Sequence, residues 1–199
     1  MRAISAVIAV LALTVVGLFA GDTGSLEKQA ALSQAPDFKA LDYKGNTYSL
    51  SQYKGHVVVL EWLNPECPFV QRHYREGTFT RLASEYKDKG VVWLAVNSTS
   101  SQGVEQNKEW AEKNHVSYPI LVDKDGQVGH LFKAKTTPHL FVVDPKGELI
   151  YEGAVDDDPS GNKDQRTVYV KNAIDAALAG ALPAVRETKS YGCNVKYMN

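Results

Sequence analysis

Cysteine is scarce in this chain: of 199 residues only Cys67 and Cys193 carry a thiol, so one intramolecular disulfide is the most it can form. A dominant charge is missing too. Twenty-two basic residues face twenty-three acidic ones, for a net charge of −1, and no dense basic cluster marks a surface for nucleic acid. His56, His73, His115 and His130 stand at no ligand spacing, no zinc pattern occurs, and no glycine-rich loop is present to cradle a phosphate. Neither a resident metal nor another cofactor is therefore expected. Internal repeats and low-complexity stretches are absent as well. What remains, 44% hydrophobic and 23% charged, suffices for one ordinary globular core with extensions.

The one long apolar run is N-terminal. Met1-Arg2 precedes an uncharged stretch from Ala3 to Ala20, after which Gly21 to Ser25 turns polar. This is the form of a signal peptide cut near Ala20. The alternative is an uncleaved N-terminal anchor, because the run approaches the length of a membrane span and Leu18 is a poor residue three before the cut. Either way the folded part is expected outside the cytoplasm, periplasmic or secreted, with membrane contact only through such an anchor. Disulfides persist in that compartment. Residues 21–35 read as a linker, 36–182 as the folded domain, and 183–199 as a C-terminal tail carrying Cys193.

The domain is organised around Gly55 to His73. Val57 to Leu60 is a continuous apolar run bounded by Gly55 and by Asn64-Pro65, which suits a strand buried on both faces of a sheet. After Cys67, the apolar positions Phe69, Val70, Tyr74, Leu82 and Tyr86 recur at helical spacing, so a helix is expected to begin at or just after the cysteine. Pro68 fits its first turn. A thiol there faces unpaired backbone N–H groups and the positive end of the helix dipole, both of which favour the thiolate. Glu66, next door, opposes this as a like charge.

The rest of the chain alternates. Phe38 to Leu41 and Thr47 to Leu50 flank a Gly-Asn turn and predict a hairpin. Val91 to Val96 reads as a second buried strand, Gln102 to Asn114 as a helix with Val104, Trp110 and Ala111 inward, and Val116 to Val122 as an extended segment. Val128, Leu131 and Phe132 suggest a helical turn or two. His139 to Val143 and Glu148 to Glu152 form a hairpin, and a last helix runs from about Arg166 to Ala179, with Val170, Ala173, Ile174, Ala177 and Leu178 on one face and Gly180 as its stop. Such an order implies an α/β fold, a mixed central sheet covered on both sides.

Four stretches carry a family resemblance: A-P-D-F-x-A-L-D-Y-K-G-N-T-Y-S-L at 35–50, the strand leading to Cys67, T-T-P-H-L-F-V-V-D-P-K-G-E-L-I-Y-E-G at 136–153, and G-C-N-V-K-Y at 192–197. In their order and spacing they resemble the thioredoxin superfamily. Within it they are most similar to secreted redoxins, between membrane-tethered thioredoxins and the alkyl hydroperoxide reductase/thiol-specific antioxidant group of peroxiredoxins. The resemblance implies a thioredoxin-like fold with an N-terminal β-hairpin and a thiol-dependent oxidoreductase or antioxidant activity. Its partners would be a disulfide-containing protein or a peroxide as substrate, and an external thiol as reductant.

Carried over residue by residue, the resemblance makes Cys67 the attacking thiol. Thioredoxins carry C-x-x-C where this chain has Cys67-Pro68-Phe69-Val70, so exchange through that dithiol is excluded. Something else must resolve a sulfenic acid or mixed disulfide at Cys67. Cys193 is the candidate, although a permanent bridge pinning the tail is the competing reading. Closing so long a loop is worth on the order of 5 kcal/mol in the chain-entropy model. Glu61, the one charge in the central strand, matches the buried acid that moves protons in thioredoxins, or else turns to a polar edge. Thr137-Pro138 resembles the cis-proline that faces the cysteine and docks substrate. Asn64 stands three before the cysteine, where peroxiredoxins use Thr or Ser to hold the peroxide, and Arg72 is expected to point elsewhere on its helix. His139 is a possible base or ligand, or simply packed. The alternatives to a disulfide-reducing redoxin are a dedicated thiol peroxidase and a non-catalytic module binding a peptide, or copper through Cys67 and His139.

Overall fold

The computed structural model describes residues 32–198. The expected signal peptide or anchor, and residues 21–31 of the expected linker, lie outside them. Among the described residues, no helix is long and apolar enough to cross a membrane. In chain order the elements are β1 (Lys39–Asp42), β2 (Thr47–Ser49), β3 (Val58–Trp62), α1 (Pro68–Arg75), α2 (Thr78–Lys87), β4 (Val92–Asn97), α3 (Val104–Lys113) and β5 (Ile120–Val122). They continue with α4 (Gln127–Leu131), β6 (Thr136–Thr137), β7 (Leu140–Val143), β8 (Leu149–Gly153), α5 (Tyr169–Leu178) and β9 (Cys193–Asn194).

Seven strands form one mixed sheet in the order β2-β1-β5-β4-β3-β7-β8. β3 sits inside it, parallel to β4 and antiparallel to β7, and all five of its residues are buried. That is the environment its unbroken apolar run calls for. Alternation then sorts the strand between two core layers. Val57, Val59 and Leu63 pack with Cys67, Val70 and Tyr74 under α1, α2, α3 and α5. Val58, Leu60 and Trp62 pack on the other face with Phe132, Phe141 and Val195. This is the mixed thioredoxin-like sheet, with its N-terminal hairpin β1–β2, that the sequence implies.

Three details depart from the sequence reading. The helix after Cys67 is two helices, because Gly77 takes a left-handed conformation (φ 68°) that ends α1 and starts α2 in a new direction. Val104 is not an inner residue of α3: as the first residue of the helix it overhangs a groove between Leu41 and Val128 and stays 47% exposed. Leu178 and Leu131, each the last residue of its helix, are likewise exposed beyond the edge of the layer they extend.

The core layer opposite Cys67 is held by contacts among aromatic rings. Phe141 meets Trp62 at 5.0 Å and Phe132 at 5.4 Å in edge-on contacts and is wholly buried. Phe141→Ala is expected to cost about 3–5 kcal/mol, read as a lowered urea midpoint. A loss under about 1 kcal/mol would show that the packing of this ring contributes little to stability.

Candidate active site

Cys67 is the N-cap of α1, with Pro68 in the first turn. The turn before it is tied by Asn64, whose carbonyl accepts from the Cys67 amide at 3.0 Å and whose side-chain oxygen accepts from the Glu66 amide at 2.9 Å. Asn64 is buried and also takes a bond from the Gln102 carboxamide at 3.3 Å, which joins it to Asn97 and Asn107 in a chain of amides. Its oxygen is therefore engaged within the protein.

Cys67 is 1% exposed. As a thiol it donates to the Thr137 carbonyl at 2.8 Å. The Thr137–Pro138 peptide is cis, as the resemblance implies. The tail closes the site from the other side: β9 pairs antiparallel with β6, setting Cys193 opposite Thr137 and Asn194 opposite Thr136. Both cysteines are free thiols, and Cys193 lies within hydrogen-bond reach of Cys67. The two cysteines, 126 positions apart in sequence (193 − 67), thus share one site with the Thr137–Pro138 turn.

The electrostatics of the pair are opposed. Burial pushes the Cys67 thiol up, but donors outweigh it: the Cys193 thiol, the Val70 amide in the first turn of α1, Thr137 and the Cys193 amide leave it lowered from its ordinary value. Glu66 is exposed and does not figure among these influences. Cys193 is pushed up to about 11, by burial first and then by donating to Cys67 and lying beside its charge. Of the two, Cys67 is the thiol that ionises first, and Cys193 is the one that keeps its proton.

Glu61 is fully buried on the face of β3 that packs against α1. Its Oε2 accepts from the Trp93 indole at 2.8 Å and the Tyr118 hydroxyl at 3.2 Å, while Oε1 has no partner. Burial dominates these bonds and raises its pKa to about 7. The polar-edge alternative for this residue is excluded. His139 is buried with its ring 4.4 Å from that of Phe141, in the layer opposite Cys67, and burial lowers it to about 4. Among the described residues, no group of three or more His, Cys, Asp or Glu could hold a metal ion.

A second polar cluster was not legible in the sequence. Tyr191 donates to the Asp156 carboxylate at 2.5 Å, lies 3.0 Å from His73 Nε2 and accepts from Arg72 at 3.3 Å. Its ring packs near Phe69 of α1. Arg72 points at this tail residue and at the carbonyls of Asp158 and Pro159, and Arg166 reaches Asp156. The residues come from four distant stretches, so no local motif announces them.

The AhpC/TSA family matches residues 32–152. The thiol-disulfide oxidoreductase ResA of Geobacillus kaustophilus is 33% identical over 118 residues, covering 59% of this chain. The chain spans slightly under two thirds, 65%, of that relative's length. ResA of Bacillus cereus is 27% identical over 142 residues, 68% of this chain and 76% of that protein. A hypothetical protein of Sinorhizobium meliloti superposes with a TM-score of 0.77 at 26% identity, covering 84% of this chain and 94% of its own. The thioredoxin domain of a thiol-disulfide oxidoreductase from Bacteroides vulgatus superposes with a TM-score of 0.54 at 25% identity over 61% of this chain and 87% of that one.

Two titrations follow. Cys193→Ala removes a donor from the Cys67 sulfur, so the thiolate absorbance of Cys67 at 240 nm is expected to appear at higher pH than in wild type; an unchanged midpoint would sink the thiol–thiolate contact. Glu61 keeps its proton to about pH 7 when folded, against an ordinary value of 4.5. The folded chain then binds more protons between those values, so stability falls as pH rises from about 4.5 to about 7 and stays lowered above. Glu61→Gln should abolish that fall, worth up to roughly 3 kcal/mol, in urea melts from pH 4 to 9. Identical pH profiles would refute the raised pKa.

Proposed function

The chain belongs to the AhpC/TSA family, and from that premise we propose that it is an extracytoplasmic thiol-disulfide oxidoreductase in which Cys67 attacks and Cys193 resolves. The supporting observation is the contact between the two thiols, held opposite Thr137 by the β6–β9 pairing. The Cys67 thiolate attacks one sulfur of a substrate disulfide, forms a mixed disulfide and expels the other sulfur as thiolate. Cys193 then loses its proton and attacks the Cys67 sulfur, releasing the second substrate thiol and leaving a Cys67–Cys193 disulfide. An external thiol reductant restores the pair. Glu61, buried beneath α1 with a pKa near neutrality and one oxygen unpartnered, is the acid–base group of this scheme. Thr137 and Pro138 form the substrate-facing wall, and Asn64 shapes the turn that presents the sulfur. Export rests on the N-terminal apolar run alone, and N-terminal sequencing of the secreted protein tests it.

A peroxide substrate is the second reading, supported by the burial of Cys67, which a small oxidant tolerates better than a polypeptide does. The engaged oxygen of Asn64 and the absence of Thr or Ser at its position weigh against it.

Reduced protein treated with one equivalent of an aromatic disulfide should release two aromatic thiols and lose the mass of two hydrogens. Cys193→Ser should release one and stop as a mixed disulfide on Cys67. Wild type that also stops at one thiol would exclude Cys193 as resolver, and a silent Cys67 would exclude the oxidoreductase.

A further inference from the structure

The attacking sulfur is almost completely covered, and its cover is the chain's own tail. The tail is fastened along its length: Thr188 bonds Tyr151 and the Ala154 amide, the Val195 amide donates to the Lys135 carbonyl, and Tyr197 bonds the Ala134 carbonyl and stacks on His130 at 4.2 Å. Over the sulfur itself the attachment is thin. The β6–β9 ladder is two residue pairs, and Gly192, at φ 135°, lies so close to the Thr137 carbonyl that a β-carbon there would collide with it. What fastens this span from its N-terminal side is Tyr191, two residues before Cys193, with its hydroxyl among Asp156, His73 and Arg72.

We propose that Tyr191 is the specificity-determining residue of this site: its hydroxyl latches the tail over Cys67, so that a small reagent reaches the sulfur with the latch closed and a polypeptide only with it open. This rests on the reading of Cys67 as the attacking thiol. An extended substrate needs the β6 backbone edge and the volume above the sulfur, and β9 occupies both. A small molecule needs only a gap beside the sulfur. Asp156 is the strongest partner of the latch, a buried carboxylate held by Arg166 on one side and the tyrosine hydroxyl on the other. Opening the span breaks that bond, the hydroxyl's contacts with His73 and Arg72 and the two-pair ladder to β6, and leaves the anchors at Thr188 and Tyr197 in place.

The test compares two alkylating reagents of one chemistry on the full chain carrying Cys193→Ser, so that Cys67 is the only thiol: iodoacetamide, and a decapeptide bearing an iodoacetamide group. Tyr191→Phe keeps the ring and removes the hydroxyl. It is expected to speed the peptide reagent by roughly 10-fold or more relative to iodoacetamide, the scale of one hydrogen bond lost to a charged group. Asp156→Asn, which keeps the shape and removes the charge, should move the ratio in the same direction. A general loosening of the fold would raise both rates together and leave the ratio unchanged, and that outcome overturns the proposal, as does no change in either variant. Alkylation needs only a reachable thiol, so the ratio stays readable whether or not Cys67 forms a mixed disulfide with substrate. Failure of the oxidoreductase reading and failure of the latch are thereby told apart.

Discussion

The sulfur of Cys67 is buried and is nonetheless held toward its ionised form, and that requirement draws together segments from most of the chain's length. An anion without water must be met by donors or it takes back its proton. Val70 supplies one from the helix the cysteine caps, and Thr137 and the amide and thiol of Cys193 supply the others. Each has to arrive at a defined place. The first follows from β3 running directly into α1; the second from β7, which pairs with β3 and so sets the Thr137–Pro138 turn beside the cysteine. The last donors depend on a tail that returns across the finished domain. The sheet order, the helix start and the docking of residues 186–198 are therefore conditions on the same few ångströms.

Much of this could be read from the chain because it is local. Val57 to Leu60 is apolar without interruption, and only a strand inside a covered sheet has use for that pattern; β3 is such a strand. Gly45-Asn46 marks the first hairpin, Pro68 the first turn of α1, and Pro145-Lys146-Gly147 the turn between β7 and β8. The departures are of another kind. Gly77 falls inside the helical spacing of Phe69 to Tyr86, and composition does not reveal that a glycine takes positive φ. Val104 had the right spacing for an inner residue, but spacing says nothing of a helix that begins at the margin of the layer beneath it.

The tail marks the limit more sharply. From sequence, Tyr191-Gly192-Cys193 reads as a hydrophilic tail with a candidate resolving thiol and no sign of how it docks. Its structure depends on a two-pair ladder to Thr136-Thr137 and on a hydroxyl pocket assembled from α1, the loop at 156–159 and Arg166. No periodicity survives in segments that short. Arg72 shows the same limit from the other end: it points away from the sulfur, and only the folded chain shows that it grips the tail residue two before Cys193. Glu61 lies between the two cases. One charge in a buried strand signals either an edge or a function, and only the three-dimensional neighbours, Trp93 and Tyr118, show the carboxyl enclosed with one oxygen left over.

The opposed shifts of the two thiols bear on the order of events in the proposed cycle. While Cys67 is a thiolate, its charge helps push Cys193 up to about 11, so the tail thiol keeps its proton and serves as a donor. It stabilises the attacker and cannot compete with it. Once Cys67 has taken a substrate sulfur the charge is gone, and both effects that depended on it vanish together. Burial alone then opposes ionisation of Cys193, and Lys196 nearby favours it. The same contact that prepares Cys67 before the attack thus eases ionisation of Cys193 after it, once the tail is seated beside the mixed disulfide.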